Sequence, residues 1–322
     1  MPEQPMPTRL LGAAGPPVGA IGLGCMGMSW AYGTAGRDED RCMATIHRAL
    51  ELGVTLIDTA DMYGPFTNEE LVGRALRDRR EGAVLATKVG LVVDDPATFA
   101  MHRDGRPEHV REAIDASLRR LRTDDVDLYQ LHRIDPEVPL EETWTAMAEV
   151  ANAGKAKTLG LSEASVDEVA RAHAVHPVAS LQSELSLWTR DALIDVVPWC
   201  AQHGVAFIPF APLGRGFLTG QITRASFDDA DFRARNPRFT PQALEANLAI
   251  VDRVRTVSER HHATPAQVAL AWTLAQGDHI IPIPGTTRPE RLEENAAAAA
   301  LQLSADDLAE LDMLPPAVGA RY

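Results

Sequence analysis

Apolar residues gather along this chain in short, nearly continuous runs that end at glycine or polar positions. They are Ile21 to Gly24, Thr55 to Ala60, Ala83 to Val89, Val126 to His132, Lys157 to Glu163, Ser180 to Ser186, Val205 to Pro212 and His279 to Gly285. Runs that are apolar throughout, instead of alternating, are expected of parallel strands covered on both faces. Each is followed by a segment with helical periodicity, so the chain reads as eight strand–helix units. Between the third and fourth runs Val110, Ile114, Leu118 and Leu121 fall on one helical stripe after Pro107, which should face a sheet.

Helix starts carry capping residues: Ser165 with Glu168, Thr264 with Pro265 and Gln267, and Thr287 with Pro289 and Glu290. Gly53 and Gly277 mark stops. No Pro/Gly/Ser linker divides the chain, so the pattern predicts one domain spanning 1–322, an α/β fold of the (β/α)8 TIM barrel type. Before the first strand, TRLLGAAGPPVGAIGLG predicts a β-hairpin covering the bottom of the barrel. The polar stretch from Arg215 to Gln242, broken by Pro237, predicts a loop over the top face.

Composition narrows the function. With 45% hydrophobic and 24% charged residues the chain can bury a large core, and a formal charge of -14 argues against gripping nucleic acid. Cys25, Cys42 and Cys200 form no CxxC pair, which predicts neither a disulfide framework nor a thiolate metal site and fits a reducing cytoplasm. The proline-rich amino-terminal segment and the lack of a long apolar stretch predict no signal peptide and no membrane span. Metal-ligand spacings are absent, and His261-His262 read as surface histidines. The Ala-rich run 296–300 reads as helix packed on the barrel wall. Oligomeric state is not legible in the sequence.

In a barrel of this kind the chemistry lies at the carboxyl ends of the strands. There the chain places Asp58 and Tyr63, then Lys88, then His132. Taken singly, Asp58 also reads as a loop cap, Tyr63 as a rim aromatic, Lys88 as a surface cation and His132 as a core histidine. Together they point elsewhere, because a barrel interior holds Asp, Lys and His only when they pair. An ammonium beside a phenol should make it a better proton donor at neutral pH, with the carboxylate holding the ammonium and the imidazole orienting a carbonyl.

These residues sit in segments that resemble the aldo-keto reductases: GLGCMGMS at 22–29, LIDTADMYG at 56–64, ATKVG at 86–90 and LYQLHR at 128–133. The likeness continues in GLSEAS at 160–165, LQSELSLW at 181–188, PFAPLGRG at 209–216 and IPGTTRPERLEEN at 283–295. It implies a catalytic tetrad of Asp58, Tyr63, Lys88 and His132, with Tyr63 giving a proton to a carbonyl oxygen and NADPH, or NADH, as hydride source. It also implies that Ser162 and Gln182 bind the nicotinamide carboxamide, with Phe210 stacked on the ring. Further cofactor contacts are implied along Gly24, Cys25 and Met26, at Asp58, through Ala211, Pro212 and Leu213, and at Pro284, Gly285 and Thr286.

Two parts of that bed also follow from the residues. Gly214 and Gly216 would let backbone approach a pyrophosphate. A helix opening after Gly285 would turn free N–H groups toward an anion, with Arg288 and Arg291 adding charge and Glu294 and Asn295 sharing a face with Arg291. The chain departs from the family where Gly285-Thr286 replaces Lys-Ser, Phe210 replaces Tyr and Glu163 replaces Asn, which leaves fewer charges for a 2′-phosphate. The expected partner is a small carbonyl compound, its pocket walled by Trp30, Met62, Tyr63, Phe66, His132, Trp188 and the 217–240 loop. The competing expectation is a nucleotide-sensing regulatory subunit on the same fold.

Overall fold

In the computed structural model residues 5–32, 38–229 and 231–321 are described; positions 1–4 of the amino-terminal segment and 230 of the long loop lie outside them. The hairpin comes first. β1 (Thr8–Leu10) and β2 (Pro17–Gly19) pair antiparallel, Thr8 facing Gly19. Leu11 and Val18 then join Leu56, Ala86, Leu128, Ala206, Ile208 and Ile281 in one buried cluster, so the hairpin plugs the barrel from below.

The barrel strands are β3 (Leu23–Gly24), β4 (Leu56–Asp58), β5 (Val84–Val89), and, after the hairpin β6 (Leu91–Asp95) and β7 (Ala100–Arg103), β8 (Val126–Leu131), β9 (Ala156–Ser162), β10 (Ser180–Glu184) and β11 (Ala206–Phe210). Seven of these strands form a parallel sheet in the order β11-β10-β9-β8-β5-β4-β3. The segment 279–285 closes the ring without becoming a regular strand. Ile281 and Ile283 donate to Phe207 O and Pro209 O on one side, while Gly22 and Gly24 donate to the Pro282 and Pro284 carbonyls on the other. Those prolines have no N–H to return, so the ladder on that side lacks the bonds they would donate, although Gly24 and Gly285 still pair as a parallel bridge. Gly24 and Gly285 meet there: a Cβ on Gly24 would stand 2.9 Å from Ile283 O. Only glycine admits so close an approach.

Successive residues of a strand face opposite sides. Ile57, Leu85, Val89, Tyr129, Leu131 and Leu181 therefore point outward to the helices, while Leu56, Ala86, Leu128 and Ile208 fill the interior. Two residues further along several strands the inward position turns polar: Asp58, Lys88, Gln130 and, on β10, Gln182.

The helices are α1 (Glu39–Glu51), α2 (Thr67–Leu76), α3 (Pro107–Leu121), α4 (Leu140–Asn152), α5 (Val166–Val175), α6 (Val196–His203), α7 (Pro241–Arg260), α8 (Pro265–Leu274), α9 (Pro289–Ala297) and α10 (Ala305–Asp312). On α3, Val110, Ile114 and Leu121 are buried and Leu118 packs partly buried against them, as the periodicity predicts. The capping boxes at Ser165 and Thr264 form. The one expected at Thr287 does not: α9 starts at Pro289, its cap is Arg288 with no side-chain bond, and the Arg288 N–H instead donates to Thr286 Oγ1. Gly53 lies just past α1 in the left-handed region, as a stop requires. His261 is not a bare surface residue, since its Nε2 pairs with Asp307 at 2.8 Å. The alanine run splits into the end of α9 and a 3-10 turn at Ala298–Ala300.

Three irregular segments crown the top face: the turn after β3, the β6–β7 hairpin and the stretch 214–240, which holds 3-10 turns at Gly214–Thr219, Phe232–Arg235 and Pro237–Phe239. The β6–β7 hairpin is absent from the sequence reading. It is joined to the third segment by Arg235, which donates to Thr98 O at 3.3 Å. Among the described residues no helix is long and apolar enough to cross a membrane, and no group of three or more His, Cys, Asp or Glu could hold a metal ion.

Candidate active site

The inward alternation on β4 and β5 brings Asp58 against Lys88, and both are buried. Lys88 Nζ donates to Asp58 Oδ1 at 2.5 Å, to Thr59 O at 2.9 Å and to the Tyr63 hydroxyl at 3.3 Å. Those bonds occupy the three N–H donors of the ammonium. The other oxygen of Asp58 accepts from Gln130 Nε2 at 3.2 Å and Gln182 Nε2 at 2.9 Å. His132 follows β8 directly, and its ring meets that of Tyr63 edge-on with centroids 5.8 Å apart. Carboxylate, ammonium, phenol and imidazole thus share one site at the strand ends.

Burial decides the protonation states. It pushes the Tyr63 hydroxyl above the ordinary phenol value, and the opposing pull of Lys88 does not cancel it. The expectation of an acidified tyrosine is therefore corrected: desolvation outweighs the cation, and Tyr63 carries its proton at neutral pH. Burial also works against the Lys88 ammonium, yet Asp58 and then Tyr63 hold it above the usual lysine value. His132 is driven well below the ordinary imidazole value by burial, then by Lys88 and Arg133, so its ring is neutral. Its Nδ1 is buried with no hydrogen-bond partner.

Around this site stand Trp30, Met62 and Leu91, with Met26, Tyr32, Val93, Phe99 and Phe232 partly buried against them. Trp30 and Met62 thus pack in one cluster with Tyr63. Two other expected wall residues do not. Phe66 is half exposed with its ring under the Arg120 guanidinium at 4.5 Å. Trp188 stacks on Phe217 at 4.4 Å beneath the 214–219 turn, where a Cβ on Gly214 would come within 2.7 Å of its indole. It supports that turn and does not line the mouth.

The expected cofactor residues form an arc beginning beside Asp58. Ser162 is buried at the end of β9 and accepts from Arg133 at 3.1 Å. Gln182 is engaged with Asp58 and Gln130. Phe210 is half-buried at the end of β11, over the interior cluster. Beyond it Ala211, Gly214, Arg215 and Gly216 all have positive φ, with Pro212 and Leu213 between them. For Arg215 that conformation costs about 1–2 kcal/mol, offset by its buried two-pronged pair with Glu184 at 3.0 and 2.9 Å.

Glu163 stands in the left-handed region too, held by Arg321 and by the Glu184 N–H. At the far end of the arc lie Pro284, Gly285, Thr286 and the uncapped start of α9. The Arg288 and Arg291 side chains are exposed there and make no ion pair among the described residues. Glu294 instead accepts from Thr264 at 2.6 Å, and Asn295 is buried. Gly24 abuts Gly285, Met26 joins the mouth cluster, and the Cys25 thiol is buried and raised well above its ordinary value, first by desolvation.

A profile described as "Aldo/keto reductase family" matches residues 20–315. The chain belongs to that family.

As a member it is an NAD(P)H-dependent oxidoreductase. This aldo-keto reductase is similar to the Glycine max protein described as "Probable aldo-keto reductase 1", 41% identical across 97% of this chain and 90% of that protein. Among solved structures it resembles the glycerol dehydrogenase of Gluconobacter oxydans, with TM-score 0.85 and 31% identity over 95% of this chain and 94% of that one. It also resembles an aldo/keto reductase from Klebsiella pneumoniae in complex with NADP and acetate, with TM-score 0.75 and 28% identity over 97% and 98% of the two chains.

Three polar residues escaped the sequence reading. Asn68, buried at the start of α2, donates to Cys25 O at 2.9 Å and Ser29 Oγ at 2.6 Å and accepts from Thr59 Oγ1 at 2.7 Å, tying the turn after β3 to the strand that carries Asp58. Gln130 holds Asp58, and Arg133 joins His132 to Ser162. Gln130 and Arg133 carried a signal, since both flank the histidine in LYQLHR; Asn68 belongs to no motif.

Proposed function

We propose that this aldo-keto reductase is an NADPH-dependent carbonyl reductase, one domain across 1–322, acting in the cytoplasm on aldehydes or activated ketones. Tyr63 is the proton donor. The observation that carries this reading is the Lys88 ammonium bonded at once to Asp58 and to the Tyr63 hydroxyl, beside the neutral ring of His132. Its mouth cluster of Trp30, Met62 and Leu91 favours an apolar or aromatic substrate body.

The residues fit a dinucleotide. Among the described residues Arg288 and Arg291 lie without ion-pair partners at an uncapped helix start, which suits a 2′-phosphate, and Gly285 offers backbone without a side chain beside it. Thr286, Glu294 and Asn295 continue toward the adenosine end; Gly214 and Gly216, with Ala211, Pro212 and Leu213, serve the pyrophosphate. Ser162 and Gln182 hold the carboxamide, Phe210 covers the ring, and Gly24, Cys25 and Met26 border it with Asp58. When bound, NADPH supplies a hydride to the carbonyl carbon, and NADH serves as a weaker substitute.

The chain's own residues do the rest. His132, neutral and edge-on to the Tyr63 ring, orients the carbonyl oxygen. The Tyr63 hydroxyl, kept protonated by burial, gives its proton to that oxygen. Lys88 then neutralises the phenolate left behind, and Asp58, braced by Gln130 and Gln182, keeps Lys88 aimed at it.

Tyr63→Phe tests the assignment. Aldehyde reduction should fall by about 10²–10⁴-fold while NADPH still quenches protein fluorescence. Wild-type turnover in the variant would remove Tyr63 from the role. Tight NADPH binding by the unmutated protein with no turnover across a broad aldehyde panel would favour the regulatory reading.

A further inference from the structure

Most guanidinium groups near the mouth are matched to acids. Arg215 pairs with Glu184, Arg233 with Asp231, and Arg321 with both Glu163 and Glu184. Arg133 is different. It follows His132 on the strand end, and it is half-buried. Its hydrogen bonds run from one nitrogen, Nη1, to the His132 carbonyl at 2.6 Å and to Ser162 Oγ at 3.1 Å. Those two bonds lock the orientation of the fork between β8 and β9. No carboxylate answers its charge among the described residues, and Nε and Nη2 make no bond there. The neighbouring Arg103, on β7, donates to Ile134 O at 2.9 Å and also lacks an acidic partner among the described residues.

A half-buried guanidinium held in place without a counter-ion offers an anion a charged, oriented partner. Here it sits one residue from the imidazole and bonded to a serine of the proposed nicotinamide bed. Its field reaches the reacting groups, since Arg133 is among the charges that lower His132 and Tyr63. Asp135, two residues on, is engaged elsewhere, accepting from the Gly105 and Glu137 N–H groups, and Asp104, next to Arg103, pairs with Arg106.

We propose that Arg133 is a specificity-determining residue that receives an anionic group, a carboxylate by preference, on the substrate. A carboxylate can take two parallel bonds from Nε and Nη2, the fork geometry a guanidinium offers and an ammonium does not. Taken with the apolar cluster around Tyr63, this makes the favoured substrate a carbonyl compound that has an apolar or aromatic body and an acid group. This deepens the carbonyl-reductase reading and rests on it.

The test compares para-formylbenzoate with para-tolualdehyde, aldehydes of the same shape that differ in charge, using NADPH oxidation. The wild-type protein should show the higher kcat/KM on the acid, chiefly through a lower KM. Arg133→Met should lower the ratio of acid to neutral kcat/KM by about tenfold or more, and Arg133→Lys should restore part of it. A ratio unchanged by Arg133→Met, with both aldehydes slowed alike, would mean that the residue only supports Ser162 and would overturn the proposal. So would a wild-type preference for the neutral aldehyde. If the wild-type protein reduces neither aldehyde nor any of a broad carbonyl panel, the functional reading itself fails, and this assignment with it.

Discussion

Replacing Lys88 by methionine removes one charge while leaving a chain of similar length, and the structure fixes what is lost. Three buried acceptors lose their donor: Asp58 Oδ1, Thr59 O and the Tyr63 hydroxyl. Asp58 keeps the Gln130 and Gln182 amides on its other oxygen, but its charge is left without a counter-ion in a site closed to solvent. Breaking a buried pair from one side costs about 3–5 kcal/mol. Adding Asp58→Asn removes the orphaned charge, so the double variant should recover about 2 kcal/mol relative to the sum of the single changes. Urea unfolding at neutral pH, followed by tryptophan fluorescence on the four proteins of the cycle, measures both quantities. A loss below about 1 kcal/mol for Lys88→Met, or strict additivity in the cycle, would refute the claim that this ion pair is closed and mutually dependent.

Two further outcomes follow from the same geometry. Because burial holds His132 below the ordinary imidazole value of 6.5, the unfolded chain binds more protons than the folded one beneath that pH. Stability present above it should therefore fall as the solution is acidified. Urea midpoints at about pH 7.5 and about pH 5.5 should differ less in His132→Gln than in the wild-type protein, the remainder coming from His173 and His279, which burial also lowers. An undiminished difference would show that His132 is solvated. Replacing Arg288 and Arg291 together by alanine should raise the ratio of NADPH to NADH KM by about tenfold, and equal losses with both cofactors would place the 2′-phosphate elsewhere.

Strand placement was legible because the runs are apolar on both faces, and the clustering of Asp58, Tyr63, Lys88 and His132 because they end those runs or closely follow them. What escaped depended on distance or on water. The β6–β7 hairpin has intermediate to exposed positions throughout most of its length, so no buried face marked it, although Asp95-Pro96 is a turn signal at the end of its first arm. Asn68 reaches Cys25 across the barrel rim, and Glu163 meets Arg321 from the far end of the sequence. Neither pairing leaves a local pattern. The charge environment of Tyr63 could be listed from residue types, but its sign depended on how far water is excluded, which spacing does not encode. Phe66 and Trp188 were expected at the mouth because both are aromatic and follow strand ends; their neighbours, Arg120 and Phe217, decide otherwise.

The prolines at 282 and 284 leave the cylinder fastened by a half-stitched seam. That seam runs straight into Gly285 and the first turn of α9, the same few residues proposed above to hold the cofactor's phosphate. Docking a nucleotide there would add contacts along that seam, so affinity for the coenzyme and resistance to unfolding should rise together in this enzyme, and any change that loosens one should be felt in the other.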